Sequence, residues 1–538
     1  MRLGDVRLYA AIGARAAHLA KAAGDAWLAE HATLGVGAGE LFRGLCLALG
    51  NLGALDIGQR TGRVLVVHDA TPLLETGKTS GLARPFRASA LACGGPRIRS
   101  GGFREEKTMT QALRIALAGL GTVGGGVLKL LAENAALIER RAGRAIEVVA
   151  VSARDRARDR GIDLSRYEWV DDTASLAIRD DVDAVVELIG GSDGPALTLA
   201  RATLQQGKAL VTANKAMLAH HGLELAGAAE QANTALKYEA AVAGGVPVIK
   251  GLREGAAANA IQHVYGVLNG TCNFILTTME ATGRDFDDIL SEAQALGYAE
   301  ADPSFDIDGI DAAHKLSILA SLAFGTQIDF DAVAITGIRH VIAADIAEAA
   351  ALGFRVRLVG FGEADAHGLF QRVHPCMVPE GHPLAHVTGS LNAVVVEGNH
   401  VGRLLFQGRG AGEGPTASAV VADLIDIARG EYGPAFAMPV KSLAKLGTAP
   451  AGERRGRAYL RFTVADRPGV LAELTAAMRD AGVSIESLIQ RGAAADGSVL
   501  LVMVTHDGPE RCVVHALEKL EGSPSLLGPP MLMYILEN

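Results

Sequence analysis

A short apolar strand that runs directly into a glycine-rich turn narrows the possible folds more than any other segment of the sequence. Residues 114–118 read RIALA and residues 119–124 read GLGTVG, ahead of a helix expected over 125–135. The glycines allow a tight turn, a close approach of backbone to a pyrophosphate, and close packing of helix on strand. Since a helix N-terminus also offers amide groups to an anion, the segment predicts a dinucleotide-binding turn rather than a glycine turn of another α/β unit. The residues predicted to bind the cofactor here are Gly119, Leu120, Gly121, Thr122, Val123 and Gly124.

The strands expected after the turn extend this prediction to a Rossmann-type α/β domain over 109–240. They cover 146–151, 182–189 and 209–212. Arg154 follows the first of them, where an NAD-specific site carries an acidic residue for the ribose 2′-hydroxyl, so NADP is favoured. The adjacent Asp155 leaves NAD possible. Lys215 follows the last strand, and because open parallel sheets bind ligands at the carboxyl ends of their strands, it is a candidate site residue.

A dense group of carboxylates lies in residues 293–315, which read AQALGYAEADPSFDIDGIDAAHK. The segment imitates part of an EF-hand loop, but Lys315 stands where that loop needs a bidentate Glu, which excludes calcium. A helix opening at Gly309 would place Asp311 and Lys315 one turn apart, so that the carboxylate orients the amine. An amine held in this way can protonate a carbonyl oxygen and take the proton back. The alternative is an acidic helix N-terminus with an ordinary ion pair.

Composition excludes several classes of function. The chain of 538 residues predicts three or four domains, with ample apolar content for their cores. A net charge of −9 without a long basic run argues against a nucleic-acid partner. Five cysteines with no C-x-x-C pair suit a reducing cytoplasm. No run of apolar residues in the sequence is long enough to predict a membrane-spanning helix.

Residues 1–108 differ from the rest of the chain. They are rich in Ala, Gly, Leu and Arg, show no regular succession of strand and helix patterns, and end in a linker-like stretch over 94–107. Met109 stands five residues before the dinucleotide-binding strand. We therefore expect the upstream part to be a mis-assigned extension of unknown role, with a long targeting segment as the alternative.

The last part of the chain, 457–538, is expected to form a separate module after a polar, basic hinge at 452–457. Strands are expected over 459–464, 483–491, 499–505 and 531–536, with helices over 470–480 and 509–520. This βαββαβ order, with Asp-Arg-Pro-Gly at the first turn, resembles an ACT domain, a small-molecule sensor that pairs across subunit interfaces. Asp466 and Gly469 at the first helix are the candidate effector-binding residues. An ACT domain that only joins subunits is the alternative.

The motifs together resemble the homoserine dehydrogenase family, from about residue 113 to residue 444. The most specific match is the acidic window, whose residues at the family's spacing are Ala293, Gly297, Tyr298, Ala299, Asp302, Pro303, Asp306, Ile307, Gly309, Asp311 and Lys315. Supporting motifs in the same order are TANK at 212–215, YEAAVAGGVP at 238–247, NGT at 269–271 and GAGEGPTAS at 410–418. The resemblance implies an α+β substrate and dimerisation domain over 241–430, with the chain re-joining the nucleotide domain near 405–445.

The resemblance also implies an activity and a set of site residues. The family interconverts aspartate 4-semialdehyde and homoserine with NAD(P), in the biosynthesis of threonine, methionine and isoleucine. Lys315 resembles its acid/base, with Asp311 to orient the amine and Lys215 to assist proton transfer next to the cofactor. Glu300 is similar to the carboxylate that holds the substrate ammonium group. The other implied ligands are Tyr298, Gly270, Thr271 and Asp306 for the substrate, and Gly412 for the cofactor. Cys272 departs from the family's usual small residue and is expected to be a packed thiol rather than a nucleophile.

Residues 238–247 resemble a monovalent cation site of the family. The implied ligands are Glu239 and the carbonyl oxygens of Val242, Gly244 and Val246, oxygen donors that suit sodium; a tight backbone turn is the alternative. A homodimer or homotetramer, feedback-controlled by threonine through the ACT domain, is implied as well. Two other functions remain open: another amino-acid NAD(P) oxidoreductase and a non-catalytic amino-acid sensor. An aspartokinase fusion is excluded, because 1–108 is too short for a kinase.

Overall fold

The computed structural model of the protein describes residues 111–492 and 497–537. The expected extension over 1–108 and the start at Met109 lie outside the described residues. Among the helices that the structure describes, none combines the length and the apolar character needed to cross a membrane.

The first part of the described chain is a parallel six-stranded sheet of Rossmann topology. Its strands are β1 (Leu113–Ala118), β2 (Ile146–Ser152), β3 (Glu168–Trp169), β4 (Ala184–Glu187), β5 (Ala209–Thr212) and β6 (Leu236–Lys237). Their order is β3-β2-β1-β4-β5-β6, and every neighbouring pair is parallel. The chain order reverses between β1 and β4, which is where sheets of this kind bind their ligands. The predicted α/β class is confirmed.

Helices cover both faces of this sheet. They are Thr122–Glu133, Ala135–Ala142, Pro195–Gln205, Lys215–Gln231 and, from much later in the chain, Glu413–Arg429. The first begins at Thr122 rather than 125, because Gly121 has the extended backbone of an N-cap and the helix starts inside the glycine turn. The helix Glu413–Arg429 packs against it, so the chain returns to the nucleotide domain.

The second domain is a mostly antiparallel sheet with helices on it. Its strands are β7 (Ile261–Val267), β8 (Ala334–Ile335), β9 (Phe354–Asp365), β10 (Gly368–Pro379), β11 (Leu391–Gly398) and β12 (Gly402–Arg409), and the main order is β12-β11-β7-β9-β10. Its helices are Val248–Lys250, Gly270–Thr282, Phe286–Ala295, Ser304–Ile307, Ile310–Phe324 and Ala343–Ala351.

The helix Ile310–Phe324 lies deep between the two domains. Twelve of its 15 residues are buried. It approaches β9 closely at Gly360, where an added Cβ would meet the side chains of Leu268 and Leu316. A helix buried on all sides can hold charged groups only if they are paired, which bears directly on the two charged residues of its first turns.

The C-terminal module has the predicted βαββαβ order. Its main elements are β14 (Ala458–Ala465), helix Val470–Asp480, β15 (Ile485–Arg491), β16 (Ser498–Thr505), helix Glu510–Lys519 and β18 (Met531–Ile535); β13 (Arg455–Gly456) pairs with β17 (Gly508–Pro509). The sheet order is β18-β14-β16-β15. β18 also pairs in parallel with β10, through Cys376 with Tyr534 and Met377 with Ile535. The sheets of the second and third domains are therefore continuous.

The segment 452–457, expected to be a hinge, is bound on both sides instead. Arg454 pairs with Glu363 on β9. Its guanidinium carbon lies 4.7 Å from the ring centre of Phe361 and 4.2 Å from that of Phe370. A cation between two aromatic faces and a carboxylate is strongly held. The link between the second domain and the ACT module is thus a point of attachment.

Candidate active site

The carboxyl ends of β4 and β5 are joined by a buried hydrogen-bond network that places Lys215. The Thr212 hydroxyl donates to Glu187 at 2.5 Å, and Glu187 also accepts the Ile189 amide at 2.7 Å. Asn214 then caps the next helix by accepting an amide of its first turn. Lys215 is the first residue of that helix. Its position at the strand ends, predicted from the sequence, follows from this network.

The centre of the site is the pair Lys315 and Asp311, one turn apart on the buried helix. Lys315 Nζ lies 2.6 Å from Asp311 Oδ2 and donates to the Leu268 carbonyl oxygen at 2.8 Å. Lys215 Nζ lies 3.2 Å from the other carboxylate oxygen of Asp311. An ammonium group has three N–H donors. No described residue bonds the third donor of Lys315, so it is free to bond a ligand.

Asn269 connects the buried pair to the acidic window. Its side-chain amide donates to Asp306 at 2.7 Å and to Asp311 at 2.9 Å, while its oxygen caps the helix Gly270–Thr282. The Thr271 hydroxyl, in the first turn of that helix, also bonds Asp306, at 3.2 Å. The sequence predictions did not include Asn269 as a site residue. An asparagine between a strand and a helix signals an N-cap, but its two carboxylate partners follow only from the fold.

Electrostatics divide the carboxylates of the site into two kinds. Burial alone would raise the pKa of Asp311, but the charges of Lys315 and Lys215 outweigh it and hold that pKa well below its usual range. Burial raises the pKa of Asp306, and the nearby charge of Asp311 adds to the shift. Asp311 is therefore a permanent anion that orients two amines, whereas Asp306 is poorly stabilised as an anion by the protein itself.

Two predicted substrate ligands lie on the exposed side of the site. Glu300 is exposed, and its carboxylate bonds no residue in the part of the chain that the structure describes. Tyr298 is 45% exposed and stacks on Phe274, with ring centres 4.6 Å apart. Its carbonyl oxygen accepts the Thr271 hydroxyl at 2.8 Å, which ties this segment to Asp306. An exposed carboxylate without protein partners is available to an ammonium group.

Gly270 and Cys272 flank Thr271 in the first turn of the helix Gly270–Thr282. A Cβ at residue 270 would lie 2.8 Å from the Ser390 carbonyl oxygen, so the turn needs glycine. The Cys272 thiol is fully buried, donates to the Asp306 carbonyl oxygen at 3.2 Å, and has a pKa raised well above its usual value by burial. A protonated, enclosed thiol agrees with the packing role expected from the sequence.

The glycine turn lies between β1 and β4, as the motif requires. Gly119 has a φ of +102°, and an added Cβ would lie 2.5 Å from the Leu188 carbonyl oxygen after β4. A Cβ at Gly124 would collide with the carbonyl of Gly119. Gly412, the other predicted cofactor residue, is the N-cap of Glu413–Arg429, whose first residue pairs with Lys129 at 2.6 Å. Its loop therefore borders the helix that follows the turn.

Arg154 lies just beyond β2, on the surface, where the sequence places the cofactor 2′ position. Among the described residues none forms a hydrogen bond or ion pair with its guanidinium. The neighbouring Asp155 carboxylate accepts the Ala157 amide at 2.9 Å and so closes its own loop. Of the two adjacent residues, the arginine is the one free to bind an incoming group.

The predicted cation ligands form a buried loop. Glu239 accepts the amides of Ile249 and Lys250, both at 2.9 Å, and its own amide donates to Asp423 at 2.8 Å. Burial, followed by the charge of Asp423, raises the pKa of Glu239 to about 7. The Val246 carbonyl oxygen accepts the Val248 amide at 2.8 Å. No cluster of three or more acidic, His or Cys side chains in the described chain could hold a metal, so a cation here would depend on backbone carbonyls.

In the ACT module, Gly469 is the N-cap of Val470–Asp480 with a φ of +96°. Both Gly469 and Asp466 are exposed. A left-handed glycine at a helix start leaves its amides open to an anion, so both residues stand where an effector could reach them.

A dinucleotide-type glycine turn and a buried lysine–carboxylate pair, the latter reached by Lys215 from the carboxyl end of the same parallel sheet, are what an NAD(P)-dependent oxidoreductase needs. Family models agree: one described as homoserine dehydrogenase, NAD binding domain, matches residues 119–239, one described as homoserine dehydrogenase matches 247–425, and an ACT domain model matches 458–522.

Relatives give the same result over most of the chain. A homoserine dehydrogenase of Pseudomonas aeruginosa is 43% identical over 424 residues, which is 78% of this chain and 97% of the relative. The structure of a homoserine dehydrogenase from Thiobacillus denitrificans matches with a TM-score of 0.75 at 41% identity, covering 80% of this chain and 99% of that one. A hyperthermophilic archaeal homoserine dehydrogenase in complex with NADPH matches with a TM-score of 0.51 at 29% identity, covering 59% and 97%. The chain belongs to the homoserine dehydrogenase family.

It is accordingly an NAD(P)-dependent oxidoreductase that acts on a CH–OH group and interconverts homoserine and aspartate 4-semialdehyde. The resemblance seen in the sequence is confirmed. The two other functions kept open, a different amino-acid oxidoreductase and a non-catalytic sensor, are set aside by this membership.

Proposed function

We propose that Lys315 is the general acid and base of the reaction, held by Asp311. The observation that carries this proposal is the geometry of the Lys315 ammonium group, with two donors engaged at 2.6 and 2.8 Å and the third free. Because this buried amine is already held in place, no further side-chain entropy is lost when its free donor bonds a substrate. The bound cofactor supplies or accepts the hydride, and protein side chains carry out the proton transfers.

In the reductive direction, Lys315 gives its proton to the aldehyde oxygen as that oxygen becomes an alkoxide. In the oxidative direction it takes the proton from the homoserine hydroxyl. Lys215 shares Asp311 with it and is about one-third exposed, so it can exchange protons with solvent. Asp311 keeps both amines in place, since its two oxygens bond one amine each.

Substrate recognition is assigned to the exposed rim. Glu300 takes the α-ammonium group, because its carboxylate bonds no described residue. Tyr298, Gly270 and Thr271 form the adjoining wall. Asp306, whose pKa is raised by burial, gains most from a cationic partner. The substrate would therefore lie between the acidic window and Lys315.

NADP is proposed as the preferred cofactor. Support comes from Arg154, free and exposed beyond β2, and from the closed loop of Asp155. A guanidinium suits a 2′-phosphate as a bidentate partner. The archaeal relative was solved in complex with NADPH, which also supports this choice.

A monovalent cation, sodium in the first place, is proposed at the Glu239 loop. The buried carboxylates of Glu239 and Asp423 are linked through the Glu239 amide, and both have raised pKa values because burial disfavours their charge. Positive charge nearby would relieve that penalty. The predicted ligands remain Glu239 and the carbonyl groups of Val242, Gly244 and Val246.

Regulation by an amino acid, with threonine as the first candidate, is proposed for the ACT module. An effector carboxylate would bind the open amides at Gly469, and Asp466 would hold its ammonium group. A homodimer or homotetramer, residence in the cytoplasm, and domain boundaries at 109–240, 241–430 and 457–538 stay predictions. Deleting the module is a poor test, since β18 covers β10 and Glu510 pairs with the buried Arg372.

The direct test is a substrate panel. Purified protein is assayed by nicotinamide absorbance with homoserine, serine, threonine and aspartate, each with NADP and with NAD. We expect turnover with homoserine alone, faster with NADP. Equal rates with NAD would contradict the cofactor preference and leave the reaction itself intact. An active enzyme whose Lys315→Ala variant keeps more than about a tenth of the wild-type rate would contradict the assignment of the proton donor.

A further inference from the structure

Arg160 holds the glycine turn from outside the known motif. Its Nε donates to the Leu120 carbonyl oxygen at 3.0 Å, across 40 residues of sequence. Its other two nitrogens donate to carbonyl oxygens of its own loop, to Arg158 at 2.7 Å and to Asp155 at 2.5 Å. The guanidinium therefore joins the loop after β2 to the turn after β1, and all three of its nitrogens are engaged.

The bond to Leu120 fixes one peptide plane of the glycine turn. No described peptide bond is cis, so the carbonyl of Leu120 and the amide of Gly121 point in opposite directions. With the carbonyl turned to Arg160, the Gly121 amide points away from it. Gly121 is exposed, and no described residue accepts a hydrogen bond from its amide. That amide is a donor aimed outward at the start of a helix, where a pyrophosphate binds.

Packing keeps the guanidinium in this orientation. The Trp169 ring on β3 lies 5.8 Å from the Arg160 guanidinium carbon and 5.7 Å from that of Arg156. The Leu120 side chain is buried in the core, with 4% exposure. The peptide after Leu120 is thus anchored by its side chain on one side and by a charged donor on the other.

We propose that Arg160 is a positioning residue for the cofactor pyrophosphate: it acts through the Leu120–Gly121 peptide and does not touch the cofactor. Because the pyrophosphate is common to NADP and NAD, Arg160 serves both cofactors equally. In this it differs from Arg154, which is assigned to the 2′-phosphate alone. The inference depends on the NAD(P)-binding domain of the family and is independent of the proposed NADP preference.

Binding of NADPH and NADH to the full chain, measured by isothermal titration calorimetry without substrate, tests this role. Arg160→Ala should raise the Kd of both cofactors by roughly tenfold, the effect of one lost hydrogen bond to a charged group. Arg160→Lys, which can still reach Leu120 with one donor, should fall between. Arg158→Ala is the matched control, because it removes an exposed positive charge from the same loop and keeps the backbone carbonyl that Arg160 uses.

The outcomes separate the possible roles. Equal losses for NADPH and NADH in Arg160→Ala, with Arg158→Ala within about twofold of wild type, support the proposal. A loss confined to NADPH would show that Arg160 binds the 2′-phosphate itself and would overturn it. Unchanged Kd values for both cofactors would show that Arg160 only joins the two loops and does not position the turn for the cofactor, which would also overturn the proposal. If Arg160→Ala fails to fold, the Arg160→Lys series decides in the same way. A failure of the NADP preference would appear separately, as an Arg154→Ala variant with equal losses for both cofactors.

Discussion

Replacing Asp311 by asparagine should damage both the stability and the rate of the enzyme. Asp311 is 3% exposed and bonds Lys315, Lys215 and Asn269. Asparagine keeps the shape but removes the charge, which leaves two amines side by side without their counter-ion. Loss of one partner of a buried ion pair costs about 3–5 kcal/mol. Because Lys215 is partly hydrated, we expect the lower end, about 3 kcal/mol, in the free energy of unfolding.

Asp308→Asn is the matched control, with the same change of charge three residues away. Asp308 pairs with Arg339, and both side chains are well exposed, at 38% and 42%. An exposed ion pair contributes about 0–1 kcal/mol. Urea unfolding of both variants measures the difference, and steady-state assays should show kcat reduced about a hundredfold for Asp311→Asn only. If the two variants unfold within about 0.5 kcal/mol of each other, Asp311 is not the buried counter-ion described above.

Three further predictions concern the cofactor, the monovalent cation and the amino-acid effector. Arg154→Ala should raise KM for NADP by about tenfold and leave KM for NAD nearly unchanged, because only NADP carries the 2′-phosphate; equal changes would show that Arg154 binds a shared group. The folded-state pKa of Glu239 is raised to about 7 and exceeds its unfolded value. Protonation of Glu239 therefore stabilises the folded state at low pH, and this stabilisation is lost as pH rises through about 7. Sodium should replace that proton and raise Tm more at about pH 8 than at about pH 5, compared with choline at equal ionic strength; a Glu239→Gln variant with the same sodium response would contradict the site. Threonine should inhibit the full chain, and Asp466→Ala should weaken its apparent affinity by about tenfold, the effect of one lost charge-assisted hydrogen bond; inhibition unchanged in that variant would place the effector elsewhere.

Local patterns in the sequence predicted the elements that depend on near neighbours. The glycine turn, the helix register that sets Asp311 and Lys315 one turn apart, and the βαββαβ order of the ACT module all agree with the structure. Each rests on spacing within a few residues, which the backbone periodicities fix. Boundaries shifted by a few residues, as at the helix that begins at Thr122.

Contacts between segments that are far apart in the chain could not be predicted from the sequence. Asn269 and Asp311 are 42 residues apart in the second domain, and Glu187 and Thr212 are 25 apart in the nucleotide domain, so each contact depends on the tertiary packing of its own domain. The prediction of a polar, basic hinge at 452–457 missed the attachment for the same reason, because the aromatic partners of Arg454 lie about ninety residues earlier in the chain.

Lys315 is the residue assigned to move the proton, and a Lys315→Ala variant is the decisive test of that role. Single-turnover and steady-state rates with homoserine and NADP are measured beside the Kd for NADPH. We expect kcat to fall by about two to four orders of magnitude while the Kd for NADPH stays nearly intact, because only the chemical step loses its proton donor. A variant that keeps more than about a tenth of the wild-type kcat would contradict this expectation and transfer the role to another group, with Lys215 the first to examine.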